Sequence, residues 1–150
     1  MGNASVPIET QTVDLGPVEV SFATNAGPRI LGYARHGGPQ IFASLPDEVI
    51  DHPAVGSYRF LGGHRLWRAP EVPAITYEQD DIPVDVTVGD GGFELVGPLG
   101  AEAIVKAVSV TQHGGFTIVD HELRNEGWAP VRCAPWAITQ YWQPLSAEVA

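Results

Sequence analysis

A single cysteine, Cys133, occurs in the chain, which rules out an intramolecular disulfide framework. Its apolar neighbours Val131 and Ala134 make it a packed thiol rather than a nucleophile, as a reducing compartment would allow. Cations are also scarce: 8 Lys and Arg stand against 18 Asp and Glu, a formal net charge of −10. This excess repels phosphate backbones and anionic lipid, which argues against nucleic acid and membrane as partners. Helical periodicity is nearly missing, and DEVIDHPAV (47–55) amounts to at most one turn, ended by Pro53. No apolar run approaches a membrane span, and MGNASVPIET has neither the charged n-region nor the apolar core of a signal peptide. A soluble, cytoplasmic protein is expected. There is no G-x-S-x-G elbow, no P-loop and no G-x-G-x-x-G after a strand, which argues against a serine nucleophile and against a nucleotide. The five histidines, His36, His52, His64, His113 and His121, match no metal-ligand spacing, and neither a metal nor a cofactor is expected.

Glycine and proline are plentiful instead, at 17 and 13 residues, dispersed as punctuation between short β-branched runs. VEVSF (18–22), RILGYA (29–34), VDVTV (84–88), FELVG (93–97), EAIVKAVSVTQ (102–112) and FTIVDHELRN (116–125) have the length and composition of strands. Asp90-Gly91-Gly92 and His113-Gly114-Gly115 supply the positive φ of tight hairpin turns, so these strands predict two consecutive hairpins. On FTIVDHELRN, alternation places Thr117, Val119, His121 and Leu123 on one face. Asn125-Glu126-Gly127 then turns the chain into APVRCAPWAITQYW, a further strand. With no internal repeat and no boundary, residues 1–150 predict one all-β domain, an antiparallel β-sandwich.

LGGHRLWRAPE (61–71) reads as one extended strand with unusual equipment. Alternation puts His64, Leu66 and Arg68 on one side and Arg65, Trp67 and Ala69 on the other. Both sides carry a cation, which implies that at least one face meets solvent or a polar cavity. An edge strand with solvated charges satisfies this. So does a pocket wall, where Trp67 beside Arg65 would stack on a sugar ring and bond its hydroxyls, with Glu71 at the strand exit. Four tryptophans, Trp67, Trp128, Trp136 and Trp142, exceed what core packing alone would use. His121, mid-strand, reads as a half-buried histidine bonded to a neighbour.

GPRILGYARHGGPQIFA (27–43), GGHRLWRAPE (62–71) and VDHELRNEGWAPVRCAPWAIT (119–139) together resemble, in order and spacing, the galactose mutarotase-like proteins, in particular the bacterial group related to aldose 1-epimerase. The likeness runs from about Pro28 to Gln140, and GGHRLWRAPE is its specific part. It implies an antiparallel supersandwich that binds a carbohydrate and interconverts its anomers by acid/base ring opening. Residue by residue it implies His64 as the general acid and Arg65 as a sugar contact; Trp67, Trp136 and His121 are expected to line the same sugar site, with Glu71 as a substitute carboxylate. Two positions depart from the family's pattern. Trp136 stands where a second histidine is expected, and the family's catalytic glutamate comes from a C-terminal half beyond this chain. The chain therefore looks like an N-terminal portion. Three expectations follow: a mutarotase, a catalytically incomplete sugar-binding protein, or a structural fragment that forms a homodimer through unpaired sheet edges.

Overall fold

The computed structural model describes residues 6–54, 56–76 and 81–143. Its strands are Thr10–Asp14 (β1), Val18–Ala23 (β2), Arg29–Arg35 (β3), Ser44–His52 (β4), Gly56–Gly62 (β5), His64–Ala69 (β6), Asp85–Gly89 (β7), Gly92–Val96 (β8), Ile104–His113 (β9), Phe116–Asn125 (β10) and Ala134–Thr139 (β11), with one helical turn at Pro73–Thr76. All the ladders are antiparallel. One sheet has the order β1-β2-β3-β6-β11, a second β10-β9-β8-β7, and β4 pairs with β5. This is the all-β sandwich that the composition predicts.

The two large sheets close on Val20, Phe22, Ile30, Leu66, Phe93, Leu95, Val108 and Val110, residues that alternate inward along β2, β3, β6, β8 and β9. Phe22 and Phe93 meet across the layers with ring centroids 4.4 Å apart. Burying such side chains contributes roughly 1.5–3 kcal/mol each, which makes this layer contact the main source of stability. A smaller cluster, Ala23, Ala26, Leu31 and Leu61, lies on the opposite face of the first sheet, beneath the end of β5. The β4–β5 hairpin thus covers part of the outside of that sheet.

The two expected hairpins form. β7 joins β8 across Asp90 and Gly91, and β9 joins β10 across Gly114 and Gly115, whose φ angles of 58° and 85° are those a mirror-image turn requires. β10 keeps the expected face: Thr117, Val119, His121 and Leu123 are half-buried, while Ile118, Asp120, Glu122 and Arg124 are exposed. DEVIDHPAV corrects the expectation of a helical turn. Its first six residues belong to β4, because Val49 through His52 pair with Arg59 through Gly56. Pairing partners that lie across a loop override weak local preference.

LGGHRLWRAPE also differs from the single strand expected. Leu61, Gly62 and Gly63 have φ of 58°, 70° and 70°, a left-handed corner that takes the chain from β5 into β6. A Cβ on Gly62 would strike the Ala43 carbonyl, and one on Gly63 the Ile30 carbonyl, so only glycine fits either position. After the corner, His64, Arg65, Leu66, Trp67 and Arg68 are all buried. Neither face meets open solvent, which leaves the polar-cavity alternative, and Trp67 and Arg68 do line a small cavity with Thr76 and Lys106. Phe60 of the hairpin lies near Arg65, the Pro73–Thr76 turn packs on β6, and β9 of the second sheet meets it.

Candidate functional site

The alternation of β6 separates the expected site residues into two groups on opposite faces. The inward group is built on register. Thr139 of β11 stands opposite His64 of β6, so their side chains share a face, and His121 reaches them from β10 in the other sheet. His64 Nδ1 lies 2.7 Å from Thr139 Oγ1, and His64 Nε2 lies 2.7 Å from His121 Nε2. Phe42 stacks on the His64 ring at 6.4 Å between centroids and is flanked by Tyr33 at 5.8 Å and Tyr141 at 5.6 Å.

Two imidazoles that meet nitrogen to nitrogen need one proton between them, since one Nε2 must donate and the other accept. Protonating both would set two donors face to face. Burial pushes the His64 pKa down to about 4, assisted by the positive charge of a protonated His121 and of Arg29. Burial lowers His121 as well, opposed by the Asp120 carboxylate. The pair is therefore neutral at pH 7. Both ring nitrogens of His64 are engaged by protein, while Nδ1 of His121 has no partner among the described residues.

The outward group surrounds two buried arginines. Arg29 Nη1 donates to the carbonyls of Phe60 and Gly62, at 3.1 and 3.0 Å, and ties β3 to the corner after β5. The Arg65 guanidinium lies 3.7 Å from the centre of the Trp67 ring and 5.6 Å from that of Phe60. Such cation–π contact is worth about 2 kcal/mol when desolvated. Trp67 in turn meets Trp136 edge to face at 5.8 Å. With 4 % of its surface exposed and its ring face against Arg65, Trp67 offers no platform to a sugar here. Trp136, on β11, is 37 % exposed.

On the inward face the second cation of the motif, Arg68, pairs with Glu102 at 2.9 Å. Each cation of β6 is thus matched locally, which is how a buried strand tolerates them. Glu71 lies exposed beyond Pro70. β6 runs from His64 to Ala69, so Glu71 stands past the far end of the strand from the histidine pair. Among the described residues no three His, Cys, Asp or Glu side chains converge to hold a metal ion. His36 sits between Asp14 and Glu19 at 3.0 and 3.3 Å, His52 accepts from the Ala54 amide, and His113 ends β9 at its turn.

Thr139, Phe42 and Arg29 were not legible as site residues in the sequence. The signal for Thr139 is alternation along APWAIT, but only the register with β6 brings it to His64. Compared with models of known families, with curated proteins and with solved structures, the chain matches none, so its chemistry has to be read from its own residues.

Proposed function

We propose that the chain recognises a sugar at the side of the sandwich where β10 and β11 end their sheets, and that the run Thr139–His64–His121 moves its protons as an aldose 1-epimerase requires. The hydrogen-bonded run ending at an unengaged His121 Nδ1 carries this reading. The run has two neutral forms. When His64 Nδ1–H donates to Thr139, His64 Nε2 accepts from His121 Nε2–H, and His121 Nδ1 faces outward as an acceptor. When Thr139 Oγ–H donates to His64 Nδ1, His64 Nε2–H donates to His121 Nε2, and His121 Nδ1–H faces outward as a donor. In the first form His121 Nδ1 takes the proton of the anomeric hydroxyl, becomes an imidazolium and gives that same proton to the ring oxygen, so the run ends with the protons it began with. Ring opening asks for both steps, because the anomeric hydroxyl gives up a proton and the ring oxygen takes one.

His121 is in this reading the group that touches the sugar, and His64 and Thr139 position it. Polarimetry of freshly dissolved α-galactose and α-glucose tests it. Equilibration faster than in buffer, lost in His121→Ala and reduced in Thr139→Val, is the expected result. A folded wild-type chain no faster than buffer, and with no change of tryptophan fluorescence across a panel of sugars, overturns it.

The edges support a second reading, a homodimer. β11 ends its sheet with Ala134 through Ala137 exposed, and Trp136, Tyr141 and Trp142 nearby are exposed too. An edge strand beside exposed aromatics is a template for pairing with another copy. Light scattering on the eluting protein decides: twice the 16.0 kDa chain mass is expected, and a monomer at high concentration rejects it.

A further inference from the structure

A cavity of about 380 Å³ opens at one end of the sandwich, with neither histidine of the pair in its lining. Its size lies at the lower end of small-ligand pockets, roughly 300–1,000 Å³. It sits between the start of β2, the end of β3 with the loop that follows, and the β9–β10 turn. Pro17, Val18, Pro39 and Ile41 form its apolar wall together with the Tyr33 ring. Ile41 is 43 % exposed although a cavity lies beside it, so a hydrocarbon body placed there would cover surface now facing water.

The polar groups converge with a definite sense. Thr117 Oγ1 donates to Gln112 Oε1 at 2.8 Å, so the Tyr33 hydroxyl, 2.8 Å from Thr117 Oγ1, must be the donor of that pair. The Gln112 amide NH₂ is left with both donors for the cavity. Arg35 also lines it, and its side chain makes no hydrogen bond or ion pair among the described residues. The carboxylates of the neighbouring strands, Asp14 and Glu19, are engaged by His36. Among the described residues a guanidinium and an amide without partners therefore line an apolar chamber, in a chain that has 8 Lys and Arg against 18 Asp and Glu.

We infer that this cavity binds a small monocarboxylate with an apolar or aromatic body, its carboxylate on Arg35 and the Gln112 amide and its hydrocarbon against Ile41, Pro39 and Val18. A planar guanidinium matches a carboxylate with two parallel N–H···O bonds. A free sugar lacks the apolar body that this wall would cover. The site shares no residue with the histidine run, so it stands whether or not that run turns over sugars.

The test is a titration of the full chain with phenylacetate, followed through the amide signals of Gly38, Ile41 and Gly115, with phenylacetamide as the uncharged isostere. Saturable shifts at those amides are expected, with binding about tenfold weaker for phenylacetamide and for Arg35→Gln, and several-fold weaker for Ile41→Asn. Both substitutions fall on exposed side chains. Equal binding of acid and amide, unaltered in Arg35→Gln, overturns the carboxylate assignment. Equal saturation by acetate overturns the apolar half, and shifts absent at millimolar phenylacetate overturn the site.

Discussion

Acid should loosen this protein as pH falls below 6.5, and His64 is the reason. Its pKa falls from 6.5 in the open chain to about 4 in the fold, because burial beside His121 and Arg29 disfavours the imidazolium. Between those two values the unfolded chain holds a proton that the folded chain refuses. The unfolded state then binds more protons, and stability rises with pH across the window. The contribution is fully present above pH 6.5 and is lost as pH falls toward 4. At about 1.4 kcal/mol per pH unit the ceiling is roughly 3 kcal/mol, and relaxation with water entry brings the expected loss to about 2 kcal/mol. His121 shifts in the same direction and steepens the fall. Asp14, held below its ordinary 3.8 by the Gly16 amide and His36, titrates beneath the window. His36, raised mainly by its hydrogen bond to Asp14, acts in the opposite sense, favouring the fold below its raised pKa and losing that effect as pH climbs through it. The assay is urea unfolding followed by tryptophan fluorescence at several pH values between 7 and 4. With a slope of roughly 1–3 kcal/mol per molar urea, the midpoint should drop by about 1–2 M in wild type. His64→Gln keeps hydrogen-bonding capacity and removes the titration, so its midpoint should change far less. A variant whose midpoint falls in parallel with wild type would refute the reasoning.

Thr139→Val removes the partner of His64 Nδ1 and should cost about 1–3 kcal/mol at pH 7, read from the same unfolding curves. Gly63→Ala forces a Cβ toward the Ile30 carbonyl at positive φ and should cost more than 2 kcal/mol, whereas Gly115→Ala, where nothing lies within 4 Å, should cost about 1 kcal/mol. Arg65→Met removes the cation from the Trp67 face and should cost about 2 kcal/mol, with a changed tryptophan emission as the local readout.

Most of the strands were legible because they are local features: β-branched runs bounded by glycine pairs at Asp90-Gly91-Gly92 and His113-Gly114-Gly115. β4 was not, since Asp47, Glu48 and Asp51 resemble a solvated turn and become a strand only through β5. The candidate site was half legible. Alternation correctly put His64 and Arg65 on different faces, yet it carries no information on what covers each face. The meeting of His64 with His121 crosses from one sheet to the other over 57 residues, a separation that only the packed layers set. Trp67 looked like a sugar platform for the same reason: its composition was visible and its partner Arg65, folded over its ring, was not.

The corner at Leu61-Gly62-Gly63 has a consequence for heredity. One uninterrupted segment leaves the β4–β5 hairpin and enters a five-stranded sheet between β3 and β11, so a single codon change at Gly62 or Gly63 would misplace two pieces of the molecule together. Drift among descendants of this chain should be slowest there. Two glycines with no functional group of their own would thus outlast the tryptophans around them.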